Sequence, residues 1–150
     1  MVESHSDLFE CHRVPGHLVC VSTNGTIKRN GAAVMGRGCA LQATRIHPGV
    51  QVDLSKYLRS QGNVPGILFL PTGTNGKNIP LGILPVKYNW WEKADLELIR
   101  RSVEWLDELA TPNTRTIHVP RLGCGNGGRS WEREVRPLMR GLPDNVIVHY

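Results

Sequence analysis

Two periods of apolar residues divide this chain. Runs rich in β-branched residues predict strands at His17 to Thr23, Gly66 to Leu70, Leu81 to Val86, Thr116 to Pro120 and Val146 to His149. The first strand should end at Asn24-Gly25. The second and third should form a hairpin around Thr74-Asn75-Gly76-Lys77, because Asn-Gly readily adopts the positive φ angles of a tight hairpin turn. A further strand is predicted, on a poor pattern, between Asp7 and Val14. Helical spacing is clearest from Asp95 to Ala110, where Leu96, Ile99, Val103 and Leu106 make one stripe. Shorter helices are predicted at Cys39 to Ile46, Val52 to Ser60 and Trp131 to Arg140, with Pro137 forcing a late start or a kink in the last. A hairpin among βα alternations predicts a mixed sheet with helices on both faces.

Glycine clusters where strands give way to helices. One cluster spans Gly31 to Ala40 and includes Gly36, Arg37, Gly38 and Cys39. The other is Gly123-Cys124-Gly125-Asn126-Gly127-Gly128. Without a Cβ, such loops bring backbone N–H groups close to an anion, and a following helix N-terminus adds positive partial charge. Two loops suit two phosphates, although tight turns alone also use glycine. Gly123, Gly125 and Gly128 formally match a dinucleotide fingerprint, but the stretch to Tyr150 leaves no room for the further βα units and acidic residue that fold requires. No G-x-x-x-x-G-K-[ST] loop occurs.

Charge adds a preference for anionic partners. The net charge is +5 and the isoelectric point about 9.3, spread along the sequence rather than run together. The 150 residues suit one domain, 1–150, with a core that needs no staples. Cys11, Cys20, Cys39 and Cys124 match neither a zinc pattern nor a disulfide framework, so reduced thiols, no metal and no cofactor are expected. His5, His12 and His17 crowd near Cys11 without a ligand spacing. No apolar run is long enough for a membrane span, and the acidic, polar start is unlike a secretion signal. A monomeric cytoplasmic protein without membrane contact is expected.

Several strings together resemble the macro domain family. They are Val21-Ser-Thr-Asn24, Val34-Met-Gly-Arg-Gly-Cys-Ala-Leu-Gln42, Leu84-Pro-Val-Lys87 with Trp91, and Val119-Pro-Arg-Leu-Gly-Cys-Gly125. The order is right and nearly the whole chain is covered. The resemblance is to the branch of ADP-ribosyl-glutamate hydrolases and DNA ADP-ribosyl glycohydrolase antitoxins. It implies a three-layer α/β/α macro domain with a mixed central sheet, binding ADP-ribose and releasing it from mono-ADP-ribosylated protein or nucleic acid.

By position, the resemblance makes the Asp7 carboxylate an acceptor for the adenine amino group and gives Leu8 a backbone N–H toward the ring, with a turn role the alternative for Asp7. Gly36, Arg37, Gly38, Cys39 and Ala40 would hold one phosphate. Gly123, Cys124, Gly125, Asn126 and Gly127 would hold the other and the distal ribose. Asn24 would meet that ribose as the catalytic contact, with Asn30 its rival. His149 stands where relatives place an aromatic beside adenine, or is a plain strand residue. Lys87 and Trp91 read as structural or rim positions, and Trp131 as a packing anchor. Relatives use a lysine after the A-L-Q string and some use an aspartate in the second loop. Thr44 and Gly127 occupy those positions here, which implies a slow, substrate-assisted attack by water. A non-catalytic reader and an ADP-ribose 1″-phosphate phosphatase remain the alternatives.

Overall fold

Two layers of helix enclose a six-stranded mixed sheet in the computed structural model, which describes residues 1–71 and 77–150. The strands are β1 (Val2–Ser4), β2 (His17–Asn24), β3 (Gly66–Pro71), β4 (Asn78–Lys87), β5 (Thr116–Pro120) and β6 (Val146–His149). Across the sheet they run β1-β6-β5-β2-β4-β3. Only β3 pairs antiparallel, with β4; every other neighbour is parallel. The three-layer α/β/α arrangement is therefore present. But for Lys77, the Asn-Gly turn predicted between β3 and β4 lies outside the described residues.

Alternation along the central strands loads both faces of the sheet. Leu18 and Cys20 of β2 join Val86, Ile117, Val119, Val146 and Val148 against α3 (Leu96–Ala110). Val19 and Val21 turn the other way, toward α1 (Gly38–Ile46) and α2 (Val50–Gln61), with Leu81 and Ile83. A central strand buried on both faces reads as one continuous apolar run, and β2 does. Helix α3 begins at Asp95, whose carboxylate accepts from the N–H groups of Glu97 and Leu98 at 2.8 and 3.0 Å. Its buried stripe centres on Leu98, Ile99, Ser102 and Leu106, with Leu96 and Val103 at its margin.

Two sequence expectations need correction. The segment from Asp7 to Val14 is a series of turns, and the N-terminal strand lies earlier, at Val2–Ser4. Its N–H groups bond three residues back (Glu10 to Asp7, His12 to Phe9, Val14 to Cys11), and its buried residues are Leu8, Phe9 and His12. That spacing belongs to a coiled backbone, not to a period of two. The last helix is also divided. A π-helical turn at Trp131–Val135 runs into the short α4 (Arg136–Met139), and the Arg136 N–H reaches the Trp131 carbonyl. Pro137 has no N–H for the Arg133 carbonyl, so the ladder widens just before it.

The turn segment is tied down by a buried imidazole pair. His12 Nε2 and His47 Nε2 lie 2.6 Å apart, one donating to the other, with His47 capping α1. Burial, helped by the charges of His47 and Arg13, pushes His12 down to about 4; burial and Arg13 also lower His47. Both folded pKa values lie below the unfolded value, so the unfolded chain takes up protons first. Stability should be complete above about pH 6.5 and fall toward pH 4 as His12 takes up its proton, by up to about 1.4 kcal/mol per pH unit, with His47 acting in the same direction. Urea midpoints at pH 7.5 and pH 5 measure this, and His12→Met should flatten the dependence.

Candidate functional site

Parallel strands end together, and the cavity forms where they do. Asn24 closes β2, Lys87 closes β4, and Pro120 and Arg121 follow β5. Register places Asn24 beside Lys87, after a bulge between Thr23 and Asn24. The cavity measures about 530 Å³, the size of a site for a nucleotide-like molecule. Its walls are the two glycine loops.

The first loop delivers a helix N-terminus. Arg37 is extended, Gly38 takes φ +60° as α1 begins, and no side chain caps the helix. Positive φ suits glycine here, and the uncapped N–H groups of the first turn are left for an anion. No acidic residue stands in that turn. The second loop is folded back upon itself. A Cβ at Gly127 would meet the Gly123 carbonyl oxygen at 2.3 Å, so this crossing admits only glycine. The loops face each other closely, since a Cβ on Gly38 would lie 3.7 Å from Asn126 Nδ2.

Charge that is dispersed in sequence is concentrated here. Lys28, Arg37, Lys87 and Arg121 all line the cavity, and among the described residues lining it there is no carboxylate. Arg121 is held over the rings of Tyr150 and Trp131, at 4.0 and 5.0 Å, and pairs with Glu3 at 3.5 Å. Lys87 Nζ donates to the carbonyls of Trp90 and Asn126 at 3.1 and 3.2 Å. Burial, then the nearby charge of Arg37, lowers the Lys87 pKa from its ordinary value.

The residues singled out in sequence fall into two groups. Asn24, Gly36, Arg37, Gly38, Cys39, Ala40, Gly123, Gly125, Asn126 and Gly127 line the cavity. Asn24 Nδ2 donates to Val34 O at 3.1 Å and its Oδ1 accepts from Thr26 N at 3.0 Å, leaving one amide hydrogen uncommitted. Asp7, Leu8, Cys124, Asn30 and His149 are not part of the cavity wall. Asp7 Oδ1 accepts from Phe9 N and from Gln42 Nε2, both at 3.2 Å. Leu8 is buried in the core beneath it. Cys124 Sγ donates to the Leu122 carbonyl, and burial pushes its thiol up to about 11. Asn30 Oδ1 accepts from Ala32 N in an exposed turn. His149 is buried between His118 and Ser6. Thr44 donates its hydroxyl to Leu41 O within α1.

Sequence reading passed over Lys28, Trp90 and Arg121, and assigned Lys87 to the rim. The structure instead turns Lys87 into the cavity wall. The available signal was position: both Lys87 and Arg121 stand where parallel strands end, the usual place for ligands in α/β sheets.

Solved structures with this architecture are known. The macrodomain of Mycobacterium tuberculosis DarG superposes with a TM-score of 0.72 at 23% identity, over 99% of this chain and 95% of that one. The chain has the macrodomain fold. Thermosipho africanus DarTG in complex with ADP-ribose matches 95% of this chain and 39% of its own, with a TM-score of 0.66 and 24% identity. Among curated proteins, a DNA ADP-ribosyl glycohydrolase of Mycobacterium tuberculosis is 29% identical over 142 residues, 90% of this chain and 40% of its own length. One from Thermus aquaticus is 27% identical over 115 residues, covering 75% and 32%. The chain thus spans less than half the length of the curated relatives it matches. No family model matches the chain. No helix among the described residues is long and apolar enough to cross a membrane.

The loop geometry makes a differential prediction. Gly127→Ala should destabilise the protein by about 1–3 kcal/mol, because the new methyl overlaps a backbone oxygen that cannot yield. Gly125→Ala, with nothing within 4 Å, should stay within about 0.5 kcal/mol of the parent. Denaturant titration of the two variants compares them directly.

Proposed function

We propose that this macrodomain binds ADP-ribose and releases it from a mono-ADP-ribosylated acceptor, with nucleic acid the acceptor class favoured by its relatives and its charge. The uncapped N-terminus of α1 and the loop from Gly123 to Gly127 take the diphosphate, screened by Arg37 and Lys28. Asp7 and Leu8 receive the adenine; both protein bonds to Asp7 fall on Oδ1, so Oδ2 is open to its amino group. Asn24 orients the distal ribose with its remaining amide hydrogen.

One observation carries the chemistry: Lys87 pairs with Asn24 in the sheet register, both line the cavity, and the Lys87 amine is held there by the carbonyls of Trp90 and Asn126 with its pKa lowered. The reacting carbon is C1″ of the distal ribose, whose departure from the acceptor has oxocarbenium character. The neutral amine attacks C1″ and the acceptor leaves with the bonding electrons, taking up the proton lost by the amine. The remaining N–H proton passes to the ring oxygen as the sugar opens to a C1″ imine, and water then adds to that carbon, restoring the amine and releasing ADP-ribose. The carbonyls of Trp90 and Asn126 aim the amine at every stage. This lysine takes over the role that Thr44 cannot fill, so the slow water route inferred from sequence is not required.

ADP-ribose should bind about tenfold tighter than ADP, the worth of one or two hydrogen bonds to the distal ribose, when both are measured by calorimetry. Equal affinities would remove the distal pocket. Lys87→Met should lower turnover of DNA-linked and protein-linked ADP-ribose by at least ~10²-fold, the scale of losing a positioned reactive group. It should leave ADP-ribose affinity nearly unchanged. Borohydride added during turnover should trap a protein–ADP-ribose conjugate in the parent only. If Lys87→Met turns over normally while Asn24→Ala does not, water assisted by the substrate is the nucleophile. If neither linkage is cleaved while ADP-ribose binds, the domain is a reader.

A further inference from the structure

Outside the cavity, the fold gathers three donor side chains from three separate elements. Cys11 comes from the turn segment, His17 opens β2, and His118 stands in β5. Their ligand atoms all lie within 4.8 Å of one another. None of the three lines the ADP-ribose cavity. Cys11 and His17 are half-buried and His118 is buried, so the group has a solvent side and a protein side.

Hydrogen-bond direction settles which nitrogen of His118 is available. His149 Nδ1 lies 3.0 Å from the Ser6 carbonyl, which can only accept, and 3.2 Å from the Ser6 hydroxyl, which can accept as well as donate, so a proton on Nδ1 is the arrangement that satisfies both. In the neutral ring Nε2 is then an acceptor, and it faces His118 Nδ1 at 2.8 Å. His118 must therefore donate from Nδ1, which leaves the lone pair on Nε2. That lone pair points at His17 Nδ1, 2.9 Å away. A backbone carbonyl thus fixes, through two rings, an imidazole in the tautomer a metal requires. Histidines that ligate metals commonly have their other N–H engaged in this way.

From this geometry we propose that Cys11, His17 and His118 form a binding site for a zinc-type divalent transition ion. A thiolate with two imidazoles selects zinc or its chemical neighbours over magnesium and calcium, which prefer oxygen ligands. Three protein ligands leave a fourth position for water on the solvent side. Binding moves the His17 proton from Nδ1 to Nε2 and displaces that of the Cys11 thiol, so it releases one proton to solvent. The ion would fasten the turn that carries Asp7 and Leu8 to strands β2 and β5.

Cobalt(II) and zinc(II) titrations of the full, tag-free chain test this. Cobalt should give one thiolate-to-metal charge-transfer band at one equivalent, and zinc should bleach it. Cys11→Ser should abolish the band and His17→Gln should weaken binding at least tenfold, while Cys39→Ser and Cys124→Ser leave it unchanged. Zinc should raise the melting midpoint of the parent and not that of Cys11→Ser. Absence of the band in the parent, or its persistence in Cys11→Ser, would overturn the assignment. ADP-ribose binding to the metal-free chain reports on the cavity separately, so failure of one site is distinguishable from failure of the other.

Discussion

Everything at the site depends on β2 lying between β4 and β5 with all three strands parallel. Parallel neighbours end on the same edge, so the residues that terminate them share one rim. Asn24, Lys87 and Arg121 are far apart in sequence and adjacent here for that reason alone. The same constraint sends each connection back across a face of the sheet as helix, which aims the N-terminus of α1 at the rim. Burial of β2 on both faces, through Leu18 and Cys20 on one side and Val19 and Val21 on the other, holds this arrangement rigid.

Rigidity has an electrostatic consequence. Four cationic side chains converge on a cavity without an opposing carboxylate among the described residues of its wall, a costly arrangement until an anion arrives. The protein offsets the cost in two ways. Arg121 rests on aromatic rings and pairs with Glu3, while Lys87 is held by carbonyl dipoles. The residual repulsion between Lys87 and Arg37 helps to lower the lysine's pKa. One cluster of charge therefore makes the cavity attractive to anions and lowers the pKa of one of its own members.

Away from the cavity wall, a row of histidines crosses the sheet. His17, His118 and His149 form a diagonal of hydrogen-bonded rings across β2, β5 and β6, under the turn that starts at Asp7. Neutral imidazoles can satisfy one another in such a line because each donates once and accepts once. His12 and His47 extend the same chemistry beneath the turn.

Local physics was legible in the chain itself. Runs of β-branched residues gave the five longer strands, the stripe around Ile99 gave α3, and dense glycine marked both loops, since each of these depends on near neighbours in sequence. Gly38 and Gly127 announce backbone geometry that other residues would oppose. Tertiary structure decided the rest. Turns instead of strand at Asp7 to Val14 follow from docking Leu8, Phe9 and His12 into the core. Placement of Lys87 in the cavity, not at its edge, follows from the register of β4 against β2. The meeting of Cys11, His17 and His118 follows from strand order, and no spacing rule could reveal it. Periodicity reports which face of an element is buried; only pairing between elements decides which distant side chains share a space.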